Sequence, residues 1–180
     1  TSVQPFTLDE RVYCPDCLEK REREVREKEK SEIRKSLLSR ADIVLKENGA
    51  PQMFLKANIS DFPASVKKYI NIKKGLYVFG DRGCGKTHLA VSLMRAHLDK
   101  VGLMERASGF EIIQKTIPMF ASVPEMLMDI RHAYSDSKAS EKSIIEKYAE
   151  RDFLVLDDMG VEKVTEWTMQ ILYIIIDKRY

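Results

Sequence analysis

No stretch of this 180-residue chain is apolar for long enough to cross a bilayer. A membrane helix needs roughly 18 residues, and the strongest apolar run, ILYIII at 171–176, stops far short of that. No apolar signal segment stands at the N-terminus either, so a cytoplasmic protein without membrane contact is expected. Cysteine is scarce, three residues in all, which excludes a disulfide-stapled scaffold. Neither sign of charge dominates. Against 30 Lys and Arg stand 28 Asp and Glu, a net charge of +2, so composition announces no nucleic-acid binder and any such surface must be local. An initiator methionine is lacking, and the chain stops at Arg179-Tyr180 just behind its most apolar run; a fragment at both ends is expected. What is present, 44% hydrophobic and 32% charged residues, is the mixture of one soluble globular domain.

Charge is concentrated at 18–40, LEKREREVREKEKSEIRKSLLSR, with nine Lys/Arg and six Glu. Pairs such as Glu19/Arg23, Glu22/Arg26 and Glu24/Lys28 are spaced to bridge one helical turn, so the segment is expected to be a solvated helix. It reads either as an exposed lead-in or as a partner-binding arm. Ile33, Leu37, Ala41 and Val44/Leu45 then recur at helical spacing, and Asn48-Gly49-Ala50-Pro51 stops the helix. Beyond Met53, strand and helix signals alternate. GLYVF (75–79) and TIPMFAS (116–122) predict strands, as does FLVLD before Met159; helices are expected at about 86–100, 123–134, 139–150 and 165–180. Ser122-Val-Pro-Glu125 has capping-box spacing. Residues 102–115 show no clear period and are expected to be irregular. Such alternation implies an α/β fold with a parallel sheet covered on both faces.

The strongest motif is Gly80-Asp81-Arg82-Gly83-Cys84-Gly85-Lys86-Thr87, which meets G-x-x-x-x-G-K-[ST] at every specified position. An apolar strand candidate precedes it and the helix-compatible run THLAVSLMRAHL, from Thr87, follows, the order that lets backbone N–H groups and a helix N-terminus surround one anion. Residues 80–88 are therefore expected to hold a nucleotide, with Lys86 on the β- and γ-phosphates and the Thr87 hydroxyl on Mg²⁺. Asp157 and Asp158 end the FLVLD strand candidate, where a parallel sheet faces the same crevice. Asp157 is expected to serve Mg²⁺ and Asp158 to polarise the attacking water. The run Asp157-Asp158-Met159-Gly160 also fits D-x-x-G of GTPases, but it lies 77 positions after Gly80 and no N-K-x-D or T-K-x-D motif is present. A GTPase and a nucleotide kinase remain the other enzyme readings.

Taken in order, GLYVFGDRGCGKTHLAVSL, FLVLDDMGVEKVTEW and ILYIIIDKRY resemble the AAA+ ATPases of the DnaC/IstB group, bacterial and phage replicative-helicase loaders and transposition helpers. The resemblance covers about 53–180. It implies a P-loop NTPase of the AAA+/ASCE kind, a three-layer αβα parallel sheet truncated on its C-terminal side before the sensor-1 residue and arginine finger. It implies Walker A at Lys86 and Thr87 and Walker B at Asp157 and Asp158, where most AAA+ proteins have glutamate second. ATP/ADP and Mg²⁺ as cofactors, a replicative hexameric helicase and single-stranded DNA as partners, and self-assembly into nucleotide-dependent oligomers follow as expectations. So does an IstB-type transposition helper as the alternative. Arg179 falls on a motif arginine of the group but is expected to be structural. Arg131, His132 and Lys138 lie where members insert a helical, DNA-contacting element; ordinary exposed positions are the competing reading. Adenine is expected to pack near Met53, Phe54, Ile59 and Phe62, which as core residues would look the same.

Cys14-Pro15-Asp16-Cys17 supplies half of a tetrahedral Zn²⁺ site. No His lies between Cys17 and His88, so other ligands would have to come from outside the chain. Loaders of the group often carry a cysteine-rich N-terminal module, which favours zinc; free thiols and a redox pair are the alternatives. The expected organisation is a module remnant at 1–17, a charged helical arm at 18–52 and the ATPase core at 53–180.

Overall fold

The computed structural model describes residues 15–68, 75–135, 141–161 and 163–180. The charged segment is one long helix, α1 (Pro15–Ser39). A proline starts it without penalty, since the first helical N–H has no acceptor. Arg23 bridges Glu19 at 3.0 Å and Arg26 bridges Glu22 at 3.4 Å; such exposed pairs are worth a few tenths of a kcal/mol at about one helical turn's spacing. One side of α1 meets other elements: Arg26 Nε lies 3.4 Å from Glu105, and Lys30 Nζ stands 5.2 Å above the Phe110 ring. Helix α2 (Ala41–Glu47) turns inward and buries Ala41 and Leu45. It ends at Gly49 (φ +90°), where a Cβ would come within 2.3 Å of the Phe120 carbonyl oxygen. Only glycine lets the backbone pass that close. The adjacent Asn48 carbonyl accepts from the Phe120 N–H at 2.9 Å, fastening the helix end to the sheet.

A short helix α3 (Ala64–Lys67) and helix α4 (Lys86–His97) follow. Residues 102–115, expected to be irregular, contain a hairpin of β1 (Leu103–Arg106) and β2 (Gly109–Ile112), antiparallel with Arg106 opposite Gly109. Its strands are short and none of their residues is buried, so they show no alternation to detect; Ser108-Gly109 was the available turn signal.

Strand β3 (Met119–Ser122) pairs in parallel with β4 (Leu154–Asp157), Ser122 opposite Asp157. The strand expected from 116 starts later because 114–116 form a 3₁₀ turn. Helices α5 (Val123–Ser135) and α6 (Glu141–Ala149) make the crossover, and α7 (Glu166–Asp177) follows β4. The period of two divides the ladder between two cores. Phe120 and Val155 face one containing Leu45, Leu55, Val91, Met94 and Leu98. Met119, Ala121, Leu154 and Leu156 face another with Val123, Met126, Ile130, Ile145 and Ile175. Helices therefore cover both faces, as the α/β reading expects.

One expected strand differs. Residues 75–79 form no ladder among the described residues, and Tyr77 and Phe79 are 77% and 81% exposed, stacked on each other at 6.0 Å. Apolar composition signals a burial tendency, but a strand exists only as one member of a hydrogen-bonded pair.

Candidate nucleotide site

The glycine-rich loop runs directly into α4, with Gly85 as its N-cap in the left-handed region at φ 92°. A residue with a Cβ would strain there, so the glycine of the motif is required by the loop-to-helix turn. Lys86 folds back across the loop. Its Nζ donates to the carbonyls of Gly80 and Asp81, both at 2.9 Å, and lies 3.8 Å from Cys84 Sγ. Gly80, Asp81, Arg82, Gly83 and Cys84 are all exposed around it.

Thr87 Oγ1 donates to Asp157 Oδ2 at 2.8 Å, a bond between residues 70 positions apart. The loop-helix junction and the end of β4 thus meet as the motifs require. Both residues are half-buried. A hydroxyl and a carboxylate side by side are hard oxygen donors of the type Mg²⁺ takes, the remaining positions being ones that water and phosphate oxygens ordinarily fill. The donor set therefore fits the ion. Asp158 is exposed and takes a left-handed backbone, φ 57°, in the turn where its carbonyl accepts from Val161 N–H at 3.3 Å.

His88, expected within the nucleotide-holding run, has its ring elsewhere. Nε2 donates to Asp61 Oδ2 at 3.0 Å, and the ring lies 6.0 Å from that of Phe54 and 5.2 Å from that of Phe62. Asp61 also accepts from Asn58 N–H at 2.9 Å, and these hydrogen bonds, the backbone one foremost, hold its carboxyl below the usual carboxylate range. Arg95, further along α4, donates to the carbonyls of Ala57 (3.0 Å) and Leu55 and to Asp42. Asp61 and Arg95 escaped the sequence reading. Asn58-Ile-Ser-Asp61 has the capping spacing that could have singled out Asp61; Arg95 carries no such signal.

Other expected sites are less assembled. Cys14 lies outside the described residues, as does Lys138; Cys17 falls in the first turn of α1. Among the described residues, no group of three or more His, Cys, Asp or Glu could hold a metal, so zinc gains no support. Arg131 sits over the Trp167 ring at 4.7 Å, and exposed His132 lies next to it on α5. Arg179 donates to the carbonyls of Ala149 (3.2 Å) and Arg151, tying the end of α7 to the end of α6. No helix among the described residues is long and apolar enough to cross a membrane.

The family model described as IstB-like ATP binding protein matches residues 18–180. No curated protein matches the chain.

Proposed function

Because this chain belongs to the IstB-like ATP-binding protein family, we propose that it is an AAA+ ATPase that loads a replicative hexameric helicase onto single-stranded DNA. The observation that supports an ATPase most directly is the Thr87–Asp157 hydrogen bond, which joins the phosphate loop to the acid-bearing strand end. In this reading the core at 53–180 is a three-layer αβα P-loop unit, and the N-terminal arm at 18–52 engages the helicase. Lys86 exchanges its loop carbonyls for the β- and γ-phosphate oxygens. Thr87 and Asp157 hold Mg²⁺, which when bound supplies charge neutralisation for phosphoryl transfer. Asp158 orients the attacking water and accepts its proton. The nucleoside lies towards the 52–62 segment, which carries Phe54 and Phe62. A neighbouring subunit supplies an arginine, so assembly depends on nucleotide.

The second reading is an IstB-type transposition helper that targets a transposase to DNA; the matched family description, an IstB-like ATP binding protein, fits it and the loader alike. Pull-down of the full chain against the host's replicative helicase and against a transposase, each with and without ATP, separates the two. Helicase capture is expected; capture of the transposase alone selects the helper, and capture of neither sinks both. Independently, Lys86→Ala is expected to weaken Mg-ATP binding by at least about a hundredfold in calorimetry, the loss of a charge-assisted contact to phosphate. Unchanged affinity would refute the site.

A further inference from the structure

Thr87 and His88 are consecutive in the first turn of α4, where successive side chains diverge by about 100°. They engage partners on different sides: Thr87 reaches Asp157, and His88 reaches Asp61 on the segment that precedes the loop. We propose that His88 is a positioning residue, clasping the 52–62 segment to the phosphate-loop helix so that the surface offered to a nucleoside stays in register with the phosphate site. The proposal rests on the nucleotide-binding reading above and extends it to a residue whose side chain meets no phosphate-loop group among its described contacts.

Three features carry it. The clasp is specific, because Asp61 Oδ2 accepts from both His88 Nε2 (3.0 Å) and Asn58 N–H (2.9 Å), so one carboxylate caps the Ile59–Asp61 turn and fastens it to α4. It is shaped, because the His88 ring stacks near-parallel on Phe54 (28°) and edge-on to Phe62 (72°), which fixes both aromatic side chains of the segment. And among the described residues a second polar fastening stands beside it. Arg95 holds the carbonyls of Leu55 and Ala57 from two turns further along the helix. Loss of the clasp therefore frees the end of the segment beside the phosphate loop while Arg95 keeps its middle in place, and the fold survives. Phosphate recognition by Lys86 and Thr87 does not pass through Asp61, so only the nucleoside part of a ligand should sense the change.

Two probes separate these contributions, Mg-ATP and magnesium tripolyphosphate, the second having the phosphates without a nucleoside. Calorimetry on the full chain is expected to show His88→Ala and Asp61→Ala each weakening Mg-ATP about tenfold while tripolyphosphate changes less than about twofold. The double variant should be no weaker than the weaker single, the non-additivity of two groups in one contact. His88→Gln, whose amide nitrogen can take the place of Nε2, should recover most of the loss. Equal weakening of both probes would make His88 a phosphate-site residue, and losses that add would separate it from Asp61; either overturns the clasp. So would unaltered Mg-ATP affinity in His88→Ala. Wild-type protein that binds neither probe would instead refute the nucleotide reading on which the clasp depends.

Discussion

An aspartate with φ 57° is unusual, and at position 158 it gives a reason for the residue type. The left-handed region costs an ordinary L-residue about 1–2 kcal/mol, while Asp and Asn enter it several times more readily than others because their short side chains bond locally. The left-handed backbone at 158 therefore gives this chain a local reason for aspartate rather than glutamate. Asp158→Asn should keep the fold and bind Mg-ATP within about twofold of wild type, yet lose about a hundredfold in turnover, the usual worth of a general base. Asp158→Glu should lower stability by about 1 kcal/mol in denaturant titration and bring no gain in turnover. Full turnover in the Asn variant would make the acid structural. Of the candidate site, the meeting of Thr87 with Asp157 was legible because each lies in a motif, and a motif is a local statement. The His88–Asp61 contact was not: it joins residues 27 positions apart, and nothing in either neighbourhood names the other.

Helices were the elements best read from sequence, because their period needs no knowledge of a partner. The helices expected at 86–100, 123–134, 139–150 and 165–180 correspond to α4 through α7, with ends that differ by a turn or less. The start of α7 is fixed by Thr165 and Thr168, whose hydroxyls each accept the other's backbone N–H, at 3.2 and 2.8 Å. Strands were read less well. The apolar run at 75–79 was legible as composition but not as an unpaired segment, and the hairpin at 103–112 had the pairing without the composition. Between elements, the junction of α2 with β3 makes the sharpest demand on sequence. Gly49→Ala would force a methyl group against the Phe120 carbonyl at a left-handed φ. It is expected to destabilise the chain by more than about 2 kcal/mol, with a matching fall in the denaturation midpoint. An unchanged midpoint would mean that the α2–β3 junction is not held as described.

Across the whole molecule, the two cores share the β3–β4 ladder, and His97 at the end of α4 packs on Phe153, just before β4, at 4.7 Å. Partial burial, helped by nearby Lys100 and opposed by Asp152, lowers its pKa from the usual 6.5. Above that value the imidazole is neutral in folded and unfolded chains and has no effect; below it the unfolded chain takes up the proton first, so stability falls as pH falls towards the folded-state pKa. Melting temperature is expected to drop between about pH 7.5 and 5.5, and His97→Gln should flatten that drop; an equal slope in the variant would remove His97 from the account. A different balance governs the loop. Lys86 and Thr87 already commit their donors to the chain itself, to two carbonyls and a carboxylate. For Lys86, nucleotide entry is therefore an exchange, in which its ammonium leaves the carbonyls of Gly80 and Asp81 for the ligand, whereas Thr87 keeps oxygen lone pairs free while its hydroxyl hydrogen stays on Asp157. The loop's own carbonyl oxygens compete with phosphate for one ammonium, and affinity measures the margin by which phosphate wins it.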